Sequence, residues 1–143
     1  MSRILSIDYG KRRTGLAVTD PLQIIAGGLC TVETPQLMTY LTQYMQREEV
    51  ERIVIGLPTQ TNGQPSENQA RVREFTGRLK KVFPDLDVVF WDERFTSVMA
   101  HQAMIESGIS RKRRQDKALV DEISATIILQ SYMERNPSVS ADR

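Results

Sequence analysis

The chain has 143 residues, a length that fits one domain with a single hydrophobic core. Hydrophobic residues make up 40% of it and charged residues 26%, a balance typical of a globular protein that excludes a disordered or fibrous one. The 19 basic and 18 acidic residues leave a net charge of +1, so only a local basic cluster would indicate nucleic-acid binding.

Cysteine content and hydropathy indicate the compartment. The single cysteine, Cys30, excludes an internal disulfide and leaves too few thiols for a structural zinc site, which favours a small buried hydrophobe. The longest apolar runs, at residues 53–57 and 88–91, are far shorter than the ~20 residues that span a bilayer. The N-terminus enters a strand-like run without the sections of a secretory signal. We therefore expect a cytoplasmic protein without a membrane partner.

The first half of the chain predicts three strands and a helix. Residues 3–9 and 14–19 are apolar and β-prone, and the basic turn between them predicts a hairpin. A third strand is expected at 28–32, after a glycine pair. Thr34-Pro35 has the form of an N-cap followed by proline at the first helical position, and the apolar spacing beyond it predicts a helix to about Glu49.

The second half predicts a strand-helix-strand unit followed by two helices. Residues 52–57 are nearly all apolar, the pattern of a strand buried on both faces. Ser66 and Gln69 form a capping box for a helix that Pro84 ends. The apolar face of this helix consists of Val72, Phe75, Leu79, Val82 and Phe83. The remaining predicted elements are a strand at 87–91 and helices at 96–108 and 116–135. We expect one domain over 1–138 and a disordered tail at 139–143.

Acidic residues from three separate segments predict a metal site. Parallel strands place their carboxyl ends at one edge of a sheet, so Pro58 and Asp92 should share that edge. Asp8 ends the first strand, Asp92 and Glu93 follow the fifth, and Asp121 lies inside the last helix. Magnesium prefers such oxygen ligands, and two ions can activate a water and stabilise a leaving oxygen in phosphodiester hydrolysis. The alternative for each acid is a solvated or capping residue.

Two of these acids have unusual surroundings. Asp8 follows an apolar strand, where an unpaired carboxylate is costly, so a cation should compensate it. Asp121 shares one helix face with Ala125 and Ile128, a face suited to close packing. Glu122 points about 100° away from that face and is expected to be a surface acid.

Basic residues close to these acids are candidates for phosphate contacts, which supply sequence-independent and salt-sensitive affinity. The alternative for both clusters is solvated loop charge. Arg94 either clamps a phosphate or pairs with Asp92. Asn62 and Gln64 are either nucleic-acid contacts or part of a plain polar turn. The clusters are Lys11, Arg12 and Arg13 in the first hairpin turn, and Arg111, Lys112, Arg113, Arg114 and Lys117 before the last helix.

Two aromatic residues and the histidine are expected to have ordinary structural roles. Trp91 and Phe95 flank the acidic motif, where base stacking is the alternative to core packing, and core packing is favoured. His101 has no second histidine at metal-binding spacing and is expected to lie on the surface or in packing.

Four motifs in order carry a resemblance. They are Ile-Asp-Tyr-Gly with Arg13-Thr14-Gly15, then Gly56-Leu57-Pro58, then Asp92-Glu93-Arg94-Phe95-Thr96-Ser97, and finally Asp121 with Ala125 and Ile128-Leu129-Gln130. Together they resemble the YqgF family over nearly the whole chain. Members of that family are described as nucleases that process the 5′ end of pre-16S ribosomal RNA, and earlier as Holliday junction resolvases. Ser124 stands where the family usually has alanine.

The resemblance implies an α/β fold of the RNase H-like class. Its sheet would be mixed and five-stranded, with order 3-2-1-4-5, strand two antiparallel and helices on both faces. By position, Asp8, Glu93 and Asp121 match the family's acidic triad, which would hold one or two Mg²⁺ or Mn²⁺ ions, with Asp92 as a further candidate ligand. Precursor ribosomal RNA, or precursor ribosomal particles, would be the partner.

Three other functions remain alternatives. A Holliday junction resolvase would need paired active sites, which leaves the oligomeric state open. A non-cleaving RNA-binding assembly factor would keep the fold, although the intact triad argues against it. An actin-like ATPase would need a second lobe, which a chain of 143 residues does not supply.

Overall fold

The described part of the chain contains five strands and three α-helices, which follow one another in the order that the sequence predicts. The computed structural model describes residues 2–58, 67–92 and 117–135, so the predicted helix at 96–108 and the tail at 139–143 lie outside the described residues. The elements are β1 (Arg3–Asp8), β2 (Arg13–Thr19), β3 (Ala26–Glu33), a 3-10 helix (Thr34–Gln36), α1 (Leu37–Arg47), β4 (Val50–Leu57), α2 (Glu67–Val82), β5 (Asp87–Asp92) and α3 (Lys117–Arg135).

The strands form one mixed sheet in the order β3-β2-β1-β4-β5. β1 pairs in parallel with β4, and β4 with β5, whereas β2 is antiparallel to both β1 and β3. The carboxyl ends of β1, β4 and β5 therefore lie at one edge, together with the start of β2. We call this the carboxyl edge, and we call the other end of the sheet the opposite edge. The predicted strand order and the antiparallel second strand are both confirmed.

Helices α1 and α2 cover one face of the sheet. Their buried residues pack on β1, β2 and β4, where Ile53 and Ile55 of β4 are fully buried. Val54 between them is equally buried and belongs to the core on the other face. β4 is thus buried on both faces, as its continuous apolar run predicts. The helix residues in this core are Leu37, Leu41 and Tyr44 of α1, and Val72, Phe75 and Leu79 of α2.

Helix α3 covers the other face, and small residues let it approach the strands closely. Ala125, Ile128 and Leu129 pack on Ala17 and Val54. The Ser6 hydroxyl in β1 donates a 2.6 Å hydrogen bond to the Ala125 carbonyl, which joins helix and strand within the core. None of the helices in the described ranges is long and apolar enough to cross a membrane.

Three local expectations are corrected by the structure. Thr34 does not cap α1, because the chain first forms a 3-10 turn and the Thr34 hydroxyl donates instead to the Gly10 carbonyl at 2.7 Å. Val82, placed on the apolar face of α2, is 49% exposed because it is the last residue of the helix. Cys30 is half-buried rather than fully buried, because β3 is an edge strand.

Candidate active site

The structure brings Asp8 and Asp121 together across a glycine. Asp8, the last residue of β1, pairs with Gly15 of β2, so the two residues lie side by side on one face of the sheet. A Cβ atom built on Gly15 would clash with the Asp121 carbonyl, which means that α3 crosses directly over this position. Only glycine permits that approach.

The register of α3 on β1 supports the same placement. Ser6 bonds to Ala125, whereas Gly15, the partner of Asp8, meets Asp121, so α3 runs antiparallel to β1. Two residues along a strand advance about 6.6 Å, and four residues along a helix advance about 6 Å. The advance along β1 from Ser6 to Asp8 is therefore about equal to the advance along α3 from Ala125 back to Asp121, which places Asp121 beside Asp8. The predicted shared face of Asp121 and Ala125 is the face that packs on the sheet.

Asp92 lies at the same edge but on the other side of the sheet. It pairs with Leu57 at the end of β4, as expected for two strand ends that share an edge. Side chains alternate along a strand, and Val89 and Trp91 contact the core under α3. Asp92 therefore falls on the side of α1 and α2, whereas Asp8 falls on the side of α3. This register disfavours Asp92 as a ligand to an ion held by Asp8 and Asp121.

Arg13, one of the basic residues predicted to flank the acids, forms an ion pair with Asp121. Its Nε atom lies 3.2 Å from Asp121 Oδ2, and both side chains are partly exposed. The pair joins the start of β2 to α3 at the carboxyl edge. Part of the Arg13 guanidinium is thus engaged with a carboxylate, while Lys11 and Arg12 in the same turn are exposed.

Three side chains fix the backbone that follows Asp8. The Thr34 hydroxyl donates to the Gly10 carbonyl and lies 2.9 Å from the Thr14 hydroxyl. The Asn68 amide, in the first turn of α2, donates to the Tyr9 carbonyl at 2.9 Å. A Cβ on Gly10 would clash with the Arg13 carbonyl, so the turn is closed tightly. The turn that carries the basic residues is therefore held from both the 3-10 helix and α2.

Sequence reasoning missed Asn68, and it gave Thr34 a capping role instead of this one. Neither residue stands in a periodic or spaced motif with Asp8. Their roles depend on contacts 24 residues away for Thr34 and 59 residues away for Asn68. The one available signal was a polar residue at the start of each helix-forming stretch, which is also the ordinary signal for a cap.

Several predicted site residues lie outside the described ranges. They are Glu93, Arg94, Arg111, Lys112, Arg113 and Arg114, together with the loop residues Asn62 and Gln64. The described residues alone contain no group of three or more acidic, histidine or cysteine side chains that could hold a metal ion. Of the three acids that match the family's triad by position, Asp8 and Asp121 lie among the described residues and Glu93 does not. Their oxygen-only donor set has the chemistry that Mg²⁺ and Mn²⁺ prefer.

Trp91 is a core residue, as favoured from sequence. Its ring packs edge-on against Tyr132 of α3 with centroids 5.7 Å apart, and its indole N–H donates to the Ser131 hydroxyl at 3.1 Å. A ring held by both contacts is not available for stacking on a base.

Solved structures define the class of protein. The fold is similar to Thermus thermophilus RuvC in complex with Holliday junction substrate, with a TM-score of 0.55 and 15% identity over 94% of this chain and 96% of that one. A second Thermus thermophilus RuvC structure matches with a TM-score of 0.53 and 12% identity over 93% and 95% of the two chains. The fold is thus RNase H-like, of the RuvC type.

The particular family follows from sequence comparison. A model of the family described as "RuvX: Holliday junction resolvase" matches residues 2–135, and the chain belongs to that family. A Phocaeicola vulgatus protein named "Putative pre-16S rRNA nuclease" is 62% identical over 134 residues, which cover 94% of this chain and 96% of that protein. A Flavobacterium johnsoniae protein of the same name is 55% identical over 133 residues, 93% of this chain and 96% of that one. The resemblance noted from the four motifs is confirmed.

Proposed function

We propose that this chain is a divalent-metal-dependent endonuclease that hydrolyses a phosphodiester bond near the 5′ end of precursor 16S ribosomal RNA, in the cytoplasm. The observation that carries the proposal is the meeting of Asp8 and Asp121 over Gly15 beside a basic turn. Relatives named for this RNA, at 62% and 55% identity, support the choice of substrate.

The carboxylates are assigned to metal binding. Asp8 and Asp121, with Glu93 as the third triad member, would hold one or two Mg²⁺ or Mn²⁺ ions. A bound ion of this kind lowers the pKa of an attacking water and stabilises the leaving oxygen. The protein's own contribution is rigid placement, because both carboxylates project from elements packed in the core.

The basic residues are assigned to the RNA backbone. Lys11 and Arg12 are exposed in the turn beside Asp8, where they would contact phosphates. Arg13 would orient Asp121 in the free protein and contact RNA in the complex. Arg94 and the cluster at 111–114 extend this surface in the proposal. Binding of this kind weakens as the salt concentration rises. The reason is that binding releases counterions from the phosphates, and added salt opposes that release.

The test is cleavage of an end-labelled precursor 16S fragment carrying its 5′ extension, compared with a four-way DNA junction, in Mg²⁺ or Mn²⁺. Wild type should cut the RNA at defined positions. Asp8→Asn and Asp121→Asn should each lower the rate roughly 10³-fold, because removal of a metal ligand takes away several kcal/mol of transition-state stabilisation.

Glu122→Gln is the matched control, because Glu122 is next to Asp121 but lies against Gly28 of β3. It should keep full activity. Thermal melting of all variants checks that the fold is intact. Paired cuts in the DNA junction would instead assign a resolvase. Salt-sensitive RNA binding with no cleavage by wild type would assign the assembly factor.

A further inference from the structure

The loop at residues 20–25 presents a cluster of exposed aliphatic side chains. It joins β2 to β3 at the opposite edge, away from the candidate active site. Leu22 is 59% exposed, Ile24 66% and Ile25 69%. A single exposed aliphatic residue is ordinary, whereas three in one short loop are typical of an interaction surface.

The loop backbone is held in one conformation by Asp20. Its carboxylate accepts hydrogen bonds from the backbone N–H groups of Leu22 at 3.1 Å, and of Ile24 and Ile25 at 2.8 Å. Gln23 adopts a left-handed φ of 59° and donates from its side chain to Glu51 at 2.6 Å. The aliphatic side chains are thus presented on a preorganised backbone, which lowers the entropic cost of binding.

A groove lies beside the cluster. The groove has a volume of about 360 Å³. Ile24 and Ile25 line it from the loop, and Met133 and Glu134 line it from the last turns of α3. We call Leu22, Ile24, Ile25 and Met133 the aliphatic patch. Its mixture of protruding side chains and a groove suits an apolar side chain of another protein.

Among the described residues, three acidic side chains border the patch. Glu134 lines the groove, Asp20 lies within the loop, and Glu51 is bonded to Gln23. Hydrogen bonds from backbone N–H groups, that of Ile25 foremost, hold the pKa of Asp20 below its ordinary value, so it stays charged. The nearby Arg3 is engaged with Glu48 at 3.2 Å and with the Thr19 carbonyl at 2.9 Å.

Of the other described cations at this end, Arg52 lies on the side of α3, where it is engaged with Asp87 at 2.6 Å and with the Tyr132 hydroxyl at 2.5 Å. Arg47, Lys80 and Lys81 lie in the last turns of α1 and α2, which cover the face away from α3. The exposed lysine and arginine of the β1–β2 turn lie at the carboxyl edge. The patch is therefore apolar and acidic, while the candidate active site is bordered by basic residues.

We propose that the aliphatic patch docks a protein that presents apolar side chains flanked by lysine and arginine. An acidic border attracts such a protein and repels nucleic acid. It also disfavours a second copy of this chain, because a twofold contact would place Asp20, Glu51 and Glu134 against themselves. This inference goes beyond the proposed cleavage, and its choice of ribosomal partners rests on the proposed substrate.

The distance along α3 lets both surfaces act together. Asp121 and Met133 are twelve residues apart, which corresponds to about 18 Å of helix. A partner on the patch would leave the carboxyl edge open to RNA. If the chain works on ribosomal precursors, basic proteins that themselves bind ribosomal RNA have the required chemistry.

The probe is the set of purified small-subunit ribosomal proteins, each free of RNA, applied singly to the immobilised full-length chain at physiological salt. At least one should bind, and Ile24→Ser with Ile25→Ser should weaken that binding about tenfold or more, because two large apolar contacts are lost. The matched control, Lys11→Ala with Arg12→Ala, should bind as wild type does. Asp8→Asn should also bind normally, which separates this result from the fate of the proposed cleavage.

Four outcomes would overturn the proposal. In the binding assay, these are no binding by any protein of the set and equal binding by the Ile24/Ile25 variant. In sedimentation, it is self-association of the chain that the variant abolishes. By NMR, it is contact between Val139, in the chain's own C-terminal residues, and the methyl groups of Ile24 or Ile25. Both isoleucines are exposed, so their change to serine should leave the melting temperature nearly unchanged, which a thermal scan checks.

Discussion

At the scale of single residues, the candidate site depends on how a few polar groups are paired. Arg13 and Asp121 form an ion pair whose members come from β2 and α3. An arginine beside a metal-binding carboxylate competes with the metal, yet the same charge attracts RNA. These two effects have opposite consequences for activity, so they can be separated by experiment.

Arg13→Gln should lower the Mg²⁺ concentration for half-maximal cleavage, by up to about fivefold for a partly exposed pair, and should weaken RNA binding. Arg12→Gln removes an equal charge from the same turn without touching the described ion pair. It should weaken RNA binding and leave the Mg²⁺ requirement unchanged. Metal titrations of the cleavage rate and RNA binding curves measure both. Equal Mg²⁺ requirements for the two variants would contradict competition by Arg13.

Asn68 is a second residue with a separable effect. Its amide fixes the Tyr9 carbonyl, but its Oδ1 is buried with no hydrogen-bond partner, the only side-chain atom of this kind among the described residues. Asn68→Ala loses one hydrogen bond and also removes that unsatisfied oxygen, so the stability loss should stay below about 1 kcal/mol.

The cleavage rate of Asn68→Ala should nonetheless fall with KM little changed, because the backbone after Asp8 is less well held. Asn68→Asp should be slower still, since it loses the donor and adds a negative charge near Asp8. Single-turnover rates and thermal melts measure the two effects. If the cleavage rate of these variants falls only in proportion to the loss in free energy of unfolding, Asn68 has a purely structural role.

At the scale of elements, the site exists because α3 approaches the sheet closely. Gly15 lies under Asp121 and Gly28 lies under Glu122, with Ala17 beside them in the core. Small residues in β2 and β3 therefore bring the helix down onto the strands. The helix in turn carries the second carboxylate to the first.

Gly15→Ala should destabilise the protein by about 1–3 kcal/mol and abolish cleavage, because the new methyl group displaces α3 at Asp121. Gly27→Ala is the matched control, since a Cβ there meets nothing within 4 Å. That change should be neutral within about 0.5 kcal/mol and keep full activity. Urea unfolding and the cleavage assay test the pair. An active Gly15→Ala would mean that the site tolerates a shifted helix.

At the scale of the whole molecule, the two faces of the sheet and its carboxyl and opposite edges differ in composition. α1 and α2 supply most of the hydrophobic core, whereas α3 supplies a smaller core and a site residue. The carboxyl edge carries acids with basic neighbours, and the opposite edge carries an aliphatic patch with acidic neighbours. Global stability should respond to pH through the half-buried contact between α1 and β3.

Burial, assisted by a hydrogen bond with Cys30, raises the pKa of Tyr40 to about 12. Since an unfolded tyrosine titrates near pH 10, the folded state retains a proton that the unfolded state has lost between these values. The free energy of unfolding should therefore be greatest below pH 10 and should decline as the pH rises toward 12. Urea unfolding between pH 9 and pH 12, followed by Trp91 fluorescence, measures this decline. Tyr40→Phe should make it shallower, and an unchanged slope would contradict the assignment to Tyr40.

The sequence by itself determined the α/β class and, through the family resemblance, the strand order, and it is the source of the proposed site acids. Hydrophobic periodicity and short-range turn and helix-end signals act over a few residues, so β4 and the stop at Pro84 could be predicted directly. The motifs around Asp8, Gly15 and Asp121 indicated the family before any contact was known.

Only the tertiary structure decided how these parts meet. It paired Arg13 with Asp121 and put Asp92 on the other side of the sheet from Asp8. It also showed that Asn68 and Thr34 hydrogen-bond to the turn after Asp8. These contacts join residues far apart in sequence. The aliphatic patch also appears only when the β2–β3 loop is seen beside the end of α3. Local sequence patterns report the preferences of neighbouring residues, whereas these contacts arise from the packing of α3 and α2 on the sheet.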